Sequence, residues 1–186
     1  MVCITGGPGA GKSAISDVIK REFHHGVLVL PETATMLYSG GFPRGEDNKE
    51  LRVIQSAIYH VQSNAEAIAK LRHQKANLIV CDRGTLDGAA YFPGGRNAFL
   101  KTVGSSLKKE LARYDMLIHL ETPGSSMGYD FSNPMRTESN REAMELDEKT
   151  QSVWAGHPKR VLIKSRSSFI EKVVEVLDLI RNEYFQ

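Results

Sequence analysis

The stretch Val2-Cys3-Ile4-Thr5-Gly6-Gly7-Pro8-Gly9-Ala10-Gly11-Lys12-Ser13 decides the fold of this chain. An apolar run leads directly into G-x-x-x-x-G-K-[ST], the phosphate-binding loop (P-loop) between a strand and a helix. Glycines permit positive φ angles, which turn successive backbone N–H groups toward phosphate oxygens. Lys12 offers a point charge to the β- and γ-phosphates, and the Ser13 hydroxyl can ligate Mg²⁺. A plain glycine-rich turn is the alternative. The candidate nucleotide contacts are Gly7, Pro8, Gly9, Ala10, Gly11, Lys12, Ser13 and Ala14.

Short apolar runs along the chain indicate a parallel sheet. They are almost continuously apolar rather than alternating, which is typical of strands covered on both faces. Helical spacing of apolar residues fills the gaps between them. The predicted strands are Val2–Thr5, Val27–Leu30, Leu78–Cys81, Met116–Leu120 and Val161–Ile163, and the predicted helices are Ser13–Phe23, Asp47–Gln74, Leu100–Tyr114 and Phe169–Tyr184. Alternating strands and helices predict a doubly wound α/β fold with ligands at the carboxyl ends of the strands.

Composition narrows the class of protein. The 186 residues suit one domain spanning 1–186, and 24 basic against 22 acidic residues give no basic surface that would indicate a nucleic-acid partner. Cys3 and Cys81 lie inside apolar runs and are expected to be buried free thiols. No run is long enough for a membrane span and no signal peptide opens the chain, so a cytoplasmic protein is expected. Because the first strand begins at Val2, a domain excised from a longer protein is a second interpretation.

Charged side chains follow the second and third strands. Asp82 ends the third strand and can orient Mg²⁺ together with Ser13. Glu32 follows the second strand and can accept a proton from an acceptor hydroxyl. Arg83 can hold an acceptor phosphate or neutralise the transferred group, while Asp87 and Arg44 are further candidates for substrate binding. For Asp82 and Glu32 the alternative is a helix N-cap, and for Arg83 a surface ion pair.

A polar segment, about 122–155, separates the last two strands and is interpreted as a lid. Ser139-x-x-Glu142 predicts a capping box at the start of its helix. Arg136 and Arg141 flank that start and can bring positive charge to a transferred phosphoryl group when the lid closes. After the fifth strand, Ser165 and Arg166 are candidates for contact with the nucleotide base. A solvated excursion of the chain is the alternative.

The pairing of Asp82 with Arg83 favours a kinase over other P-loop proteins. A ring-forming ATPase would place Glu after the metal-binding Asp, and no N-K-x-D motif is present to read guanine. The leading hypothesis is therefore transfer of the γ-phosphate of ATP or GTP to the hydroxyl of a small molecule, with Mg²⁺ as cofactor. A regulatory nucleotide-binding module and a plain nucleoside triphosphate hydrolase are the alternatives. The acceptor, the choice between ATP and GTP and the oligomeric state stay open.

Several strings resemble the NadR-like AAA ATPase/kinase domain family over nearly the whole chain. They are GGPGAGKS, PETAT, CDRGTLDGAAY and NPMRTESNREAMELDEKTQSVWAGH. The resemblance implies the strand order 2-3-1-4-5, Mg-ATP or Mg-GTP as ligand, and a lid bearing Arg136 and Arg141. It suggests nicotinamide riboside as acceptor and, from one branch, phosphoinositide binding. Eukaryotic members often carry a further CYTH-like domain, and this sequence ends at Gln186 without one.

Overall fold

The computed structural model describes residues 1–72, 77–124, 139–165 and 168–185. Its centre is a parallel five-stranded sheet with the order β2-β3-β1-β4-β5. The strands are β1 Val2–Thr5, β2 Val27–Leu30, β3 Leu78–Asp82, β4 Met116–Leu120 and β5 Arg160–Ile163. The predicted fold class and strand order are thereby confirmed.

Helices flank the sheet and connect successive strands. They are α1 Lys12–Phe23, α2 Thr33–Ser39, α3 Asn48–Arg72, α4 Gly88–Tyr91, α5 Gly95–Thr102, α6 Leu107–Leu111, α7 Asn140–Val153 and α8 Phe169–Tyr184, with a 3₁₀ turn at His24–Gly26. No helix in the described ranges is both long enough and apolar enough to span a bilayer.

The predicted single helix Leu100–Tyr114 is wrong. The segment forms the end of α5 and the separate helix α6, because Gly104 adopts a left-handed φ of 66° that stops the first helix. Ser106 then starts α6, where its side chain accepts a hydrogen bond from the Lys109 N–H at 3.3 Å.

Each face of the sheet has its own apolar core. Alternate residues of β1 point to opposite faces, so Val2 and Ile4 belong to one cluster and Cys3 to the other. The first cluster includes residues of α1 and α8 (Ile15, Ile19, Val176 and Ile180), and the second includes Cys81, Phe99, Leu117 and Trp154. Both cysteines are buried and free, as predicted.

The register places the ends of the central strands side by side. Ile4 of β1 pairs with Asp82 of β3, and Thr5 of β1 pairs with His119 of β4. The P-loop leaves β1 at this edge, so the residues that follow β2, β3 and β4 approach it from both sides.

Candidate active site

The P-loop connects β1 to α1 through glycines that no other residue could replace without strain. Gly6, Gly9 and Gly11 have φ angles of 139°, 77° and 93°. A Cβ on Gly6 would lie 2.1 Å from the carbonyl oxygen of Leu120, so the loop passes directly against the end of β4. Because α1 begins at Lys12, its N-terminal N–H groups lie at the loop and favour a bound anion.

Lys12 is folded into its own loop. Its Nζ donates hydrogen bonds to the carbonyl oxygens of Gly6 at 2.9 Å and Gly7 at 2.7 Å, and the residue is only 6% exposed. Burial and the charge of Arg83 lower the pKa of Lys12 to about 8. The ammonium group is therefore held beside the loop. Its charged form is less stable than that of an exposed lysine, and a bound anion would stabilise it.

Asp82 and Ser13 fit a Mg²⁺ site. Asp82 is 3% exposed, and its Oδ1 has no hydrogen-bond partner among the described residues. Burial raises the pKa of Asp82, and the charge of Lys12 and the nearby Ser13 hydroxyl offset only part of this shift. An unpartnered carboxylate oxygen beside a P-loop hydroxyl is the donor set expected for Mg²⁺, which takes further ligands from water and phosphates. The N-cap alternative for Asp82 is excluded because the next helix begins only at Gly88.

Glu32 and Arg83 form an ion pair that faces the P-loop. The Nε of Arg83 donates to Glu32 Oε1, and Thr35 Oγ1 donates to Glu32 Oε2 at 2.6 Å. Burial alone would raise the pKa of Glu32, but the charges of Arg83 and Lys12 and the bond from Thr35 lower it to about 2. Although Glu32 stands at the N-cap position of α2, its side chain makes no capping bond. Glu32 is thus an ionised carboxylate at the edge of the site.

Arg83 has an unusual backbone, with a left-handed φ of 74°. This conformation costs a non-glycine residue about 1–2 kcal/mol. Hydrogen bonds fix it on both sides: the Arg83 N–H donates to Ile4 O at 2.9 Å, and Gln62 Nε2 donates to Arg83 O at 3.3 Å. Strain of this kind at a strand end is typical of functional sites.

Asp87 is buried and hydrogen-bonded to side chains from three parts of the fold. It is 2% exposed and accepts hydrogen bonds from Thr5 Oγ1 at 2.8 Å and Trp154 Nε1 at 2.7 Å. Arg83 Nη1 also donates to it at 3.2 Å. Asp87 therefore holds Arg83 in place and ties the strand ends to the residue that follows α7.

A cavity of about 570 Å³ is lined by most of these groups, although the predicted Asp82 is not part of its wall. The predicted residues that line it are Pro8, Gly9, Gly11, Lys12, Ser13, Ala14, Glu32, Arg44, Arg83 and Asp87. Arg44 also stacks over the ring of Tyr38, with its Cζ 4.5 Å from the ring centre. The remaining wall comes from residues that the sequence did not single out, among them Tyr38, Gln55, Tyr59 and Tyr91.

Other predicted residues lie elsewhere. The Gly7 N–H is already bound by Asp147, and Ala10 is buried behind the loop. The Arg141 side chain is 90% exposed and paired with Glu145 at 3.0 Å, outside the cavity. Ser165 N–H donates to Glu121 Oε2 at 2.8 Å. Arg136 and Arg166 lie outside the described residues.

The helical half of the predicted lid packs onto the domain. α7 begins with the predicted Ser139–Glu142 capping box and buries Ala143, Asp147 and Val153. The Asp147 carboxylate accepts the Gly7 N–H at 2.7 Å and lies 3.0 Å from His119 Nε2. α7 is thus fastened to the P-loop, while residues 125–138 of the proposed lid lie outside the described part of the chain.

Two charged residues beside the P-loop, Asp147 and Lys172, were not predicted from the sequence. Asp147 shares a helical face with Ala143, four residues earlier, and Lys172 shares one with the buried Val176. Lys172 Nζ donates to Glu121 O at 2.8 Å and Ala10 O at 3.3 Å. A lone charge on an otherwise apolar helical face was the available signal for both.

Comparisons with known proteins agree with this architecture. The family model of the AAA domain matches residues 1–172. The structure of deoxyadenosine kinase from M. mycoides with bound dATP superposes with a TM-score of 0.64 at 13% sequence identity, covering 97% of this chain and 98% of that one. No curated protein sequence matches. The similarity to the kinase establishes the fold alone, and the narrower resemblance to NadR-like proteins stays a prediction. The family match, spanning the P-loop and every strand, shows that the chain belongs to the AAA domain family of P-loop proteins.

Proposed function

We propose that this protein is a kinase that transfers the γ-phosphate of ATP or GTP to a hydroxyl group of a small molecule. The observation that carries the proposal is the cavity of about 570 Å³ that starts at the P-loop and continues past Glu32 and Arg83 to a wall of tyrosines. A triphosphate on the P-loop leaves this second compartment free for an acceptor. Hydrolysis by water would need no such compartment.

The donor nucleotide is held by the P-loop N–H groups and by Lys12, which exchanges its loop carbonyls for phosphate oxygens. Ser13 and Asp82 would hold Mg²⁺, which neutralises charge on the β- and γ-phosphates when bound. Arg136, Arg141, Ser165 and Arg166 are the proposed further contacts to the nucleotide, from the lid and the segment after β5.

Glu32 and Arg83 act on the acceptor. Phosphoryl transfer requires positioning and charge stabilisation more than strong base catalysis. A carboxylate with a pKa of about 2 is a weak base but a permanent hydrogen-bond acceptor, so Glu32 orients the attacking hydroxyl. Arg83 sets the position of Glu32 and offers positive charge near the transferred group. Arg44 and Asp87 complete the proposed acceptor side.

Glu32→Gln tests the proposal. Formation of ADP or GDP is measured with and without nucleosides, sugars and inositol derivatives, and nucleotide affinity is measured by calorimetry. We expect one acceptor class to stimulate turnover, and the variant to lose about 10²- to 10⁴-fold of it while nucleotide affinity stays nearly intact. Glu46→Gln, an exposed change in the loop before α3, is the matched control.

Two outcomes would overturn the proposal that the protein is a kinase. Phosphate release that no acceptor changes would identify a hydrolase. Nucleotide binding without turnover in either form would identify a regulatory module.

A further inference from the structure

The side of α3 that faces solvent carries more apolar side chains than the side that packs on the domain. Four large apolar residues of this helix are exposed: Val53 at 68%, Val61 at 36%, Ile68 at 48% and Leu71 at 72%. The residues that α3 buries are Ile54, Gln55, Tyr59, Gln62, Glu66 and Ala69, and half of them are polar. A surface helix of a globular protein normally has the opposite arrangement.

The exposed apolar residues lie on one continuous line along the helix. Together with Ala57 and Asn64 they recur every three or four residues and form what we call the outer stripe: Val53, Ala57, Val61, Asn64, Ile68 and Leu71. At 3.6 residues per turn they occupy a sector of about 80°, along a helix of 25 residues that is about 37 Å long. Isolated exposed apolar residues are ordinary, but a contiguous apolar surface indicates an interaction site. This spacing is the one with which a helix packs against another helix.

Charges at the two ends of the outer stripe indicate which helix fits it. Glu50 lies on the same side of α3, three residues before Val53, and Arg72 directly follows Leu71; both are exposed. The two residues are equally far from Val61 along the chain. In a second copy of α3 that runs antiparallel about a two-fold axis at Val61, Glu50 of each copy therefore meets Arg72 of the other. A parallel copy would instead place like charges side by side.

The same axis also matches the apolar side chains. It sets Val61 against its own copy, Val53 opposite Ile68, and the small Ala57 opposite Asn64. Ala57 leaves room for the longer amide beside it. A single polar residue within an apolar helix seam fixes the register of the two helices at some cost in stability.

We infer that the outer stripe is a dimer interface, on which a second copy of this chain packs its own α3 antiparallel about a two-fold axis at Val61. The stripe lies on the side of α3 opposite Gln55, Tyr59 and Gln62, which line the cavity. The interface therefore leaves the cavity accessible, and the inference does not depend on the proposed kinase activity.

Sedimentation velocity of the whole 186-residue chain, from about 1 to 100 µM, tests the interface. We expect a species with twice the 20.7 kDa mass of the chain. Val61→Glu places two carboxylates at the axis and should raise the dissociation constant of the dimer about 100-fold or more. Val174→Glu makes the same change at a valine of α8 that is 49% exposed, and should leave the dimer intact. Thermal unfolding at a concentration where the wild-type chain is monomeric checks that both variants fold.

Charge reversal tests the antiparallel orientation. Glu50→Arg or Arg72→Glu alone should weaken the dimer about 5- to 30-fold, because each variant sets like charges against each other at both ends of the interface. The double variant restores both pairs and should return the dissociation constant to within about 3-fold of the wild-type value. Glu50 and Arg72 are about 33 Å apart along one helix, so only contact between two chains explains such a rescue.

Several results would overturn the inference. A chain that stays monomeric over the whole concentration range would do so, even if it captures another protein. A dimer that survives Val61→Glu, or one that Val174→Glu dissociates, would assign the interface to another surface. Failure of the double charge reversal to restore the dimer would contradict the antiparallel pairing on which the inference depends.

Discussion

Asp147→Ala should loosen the P-loop from α7. The substitution removes the carboxylate that accepts the Gly7 N–H at 2.7 Å and contacts His119 Nε2 at 3.0 Å. Hydrogen bonds to a charged group contribute about 1.5–3 kcal/mol each, and these two share one oxygen, so we expect a loss of about 2–4 kcal/mol in the free energy of unfolding. Among the described residues His119 would then have no partner for either ring nitrogen, since its buried Nδ1 has no hydrogen bond to any of them.

The assay is thermal and urea unfolding at pH 7. Burial alone would raise the pKa of Asp147, but His119 and the Gly7 N–H lower it below its ordinary value of 3.8. Its stabilisation is therefore fully present above about pH 4 and is lost as the pH falls through the folded-state pKa. For a chain of this size the Ala variant should lower the melting temperature by about 5–15 °C. Asp147→Asn keeps an acceptor oxygen and should recover roughly half of the loss.

The neighbouring Glu148→Ala, an exposed change on α7, controls for helix propensity. A loss below about 0.5 kcal/mol in Asp147→Ala, or an equal loss in the Glu148 control, would refute the reasoning.

The two remaining predictions concern the phosphate site. Because the pKa of Lys12 is about 8 in the free protein and a bound triphosphate raises it, ATP affinity should be constant below about pH 7 and fall as the pH rises past 8. Lys12→Ala should weaken ATP about 10- to 150-fold and abolish that pH dependence in calorimetry; a dependence that persists would assign it to another group. Asp82→Asn should raise the Mg²⁺ concentration needed for half-maximal Mg-ATP binding about 10- to 100-fold, while metal-free ATP binds equally or more tightly because a negative charge has gone. A parallel loss in both conditions would mean that Asp82 only supports the fold.

Local sequence patterns predicted the sheet because each strand is largely an apolar run, and the central strands β1, β3 and β4 are buried almost throughout. The start of α7 after Ser139 was also predicted, because the residues of the capping box lie within four positions of each other. The break between α5 and α6 was missed because apolar spacing continues across Gly104, whose left-handed φ overrides it.

The site was predictable only where a residue lies near a motif. Glu32, Asp82 and Arg83 stand at strand ends, and the topology of a parallel sheet brings such residues together. Asp147 and Gln55 sit in the middle of helices, and tertiary packing alone brings the first against Gly7 and the second beside Gly88. No spacing along the chain encodes either contact.

The hydrogen bond between Trp154 and Asp87 gives the protein a built-in optical probe. Trp154 is the chain's single tryptophan, and the carboxylate that its indole donates to also receives Arg83 from the acceptor side of the cavity. Fluorescence emission from this indole depends on the electric field of that carboxylate. Occupancy that moves Arg83 is thereby converted into a spectral change, and ligand screening on the unlabelled protein needs only a fluorimeter.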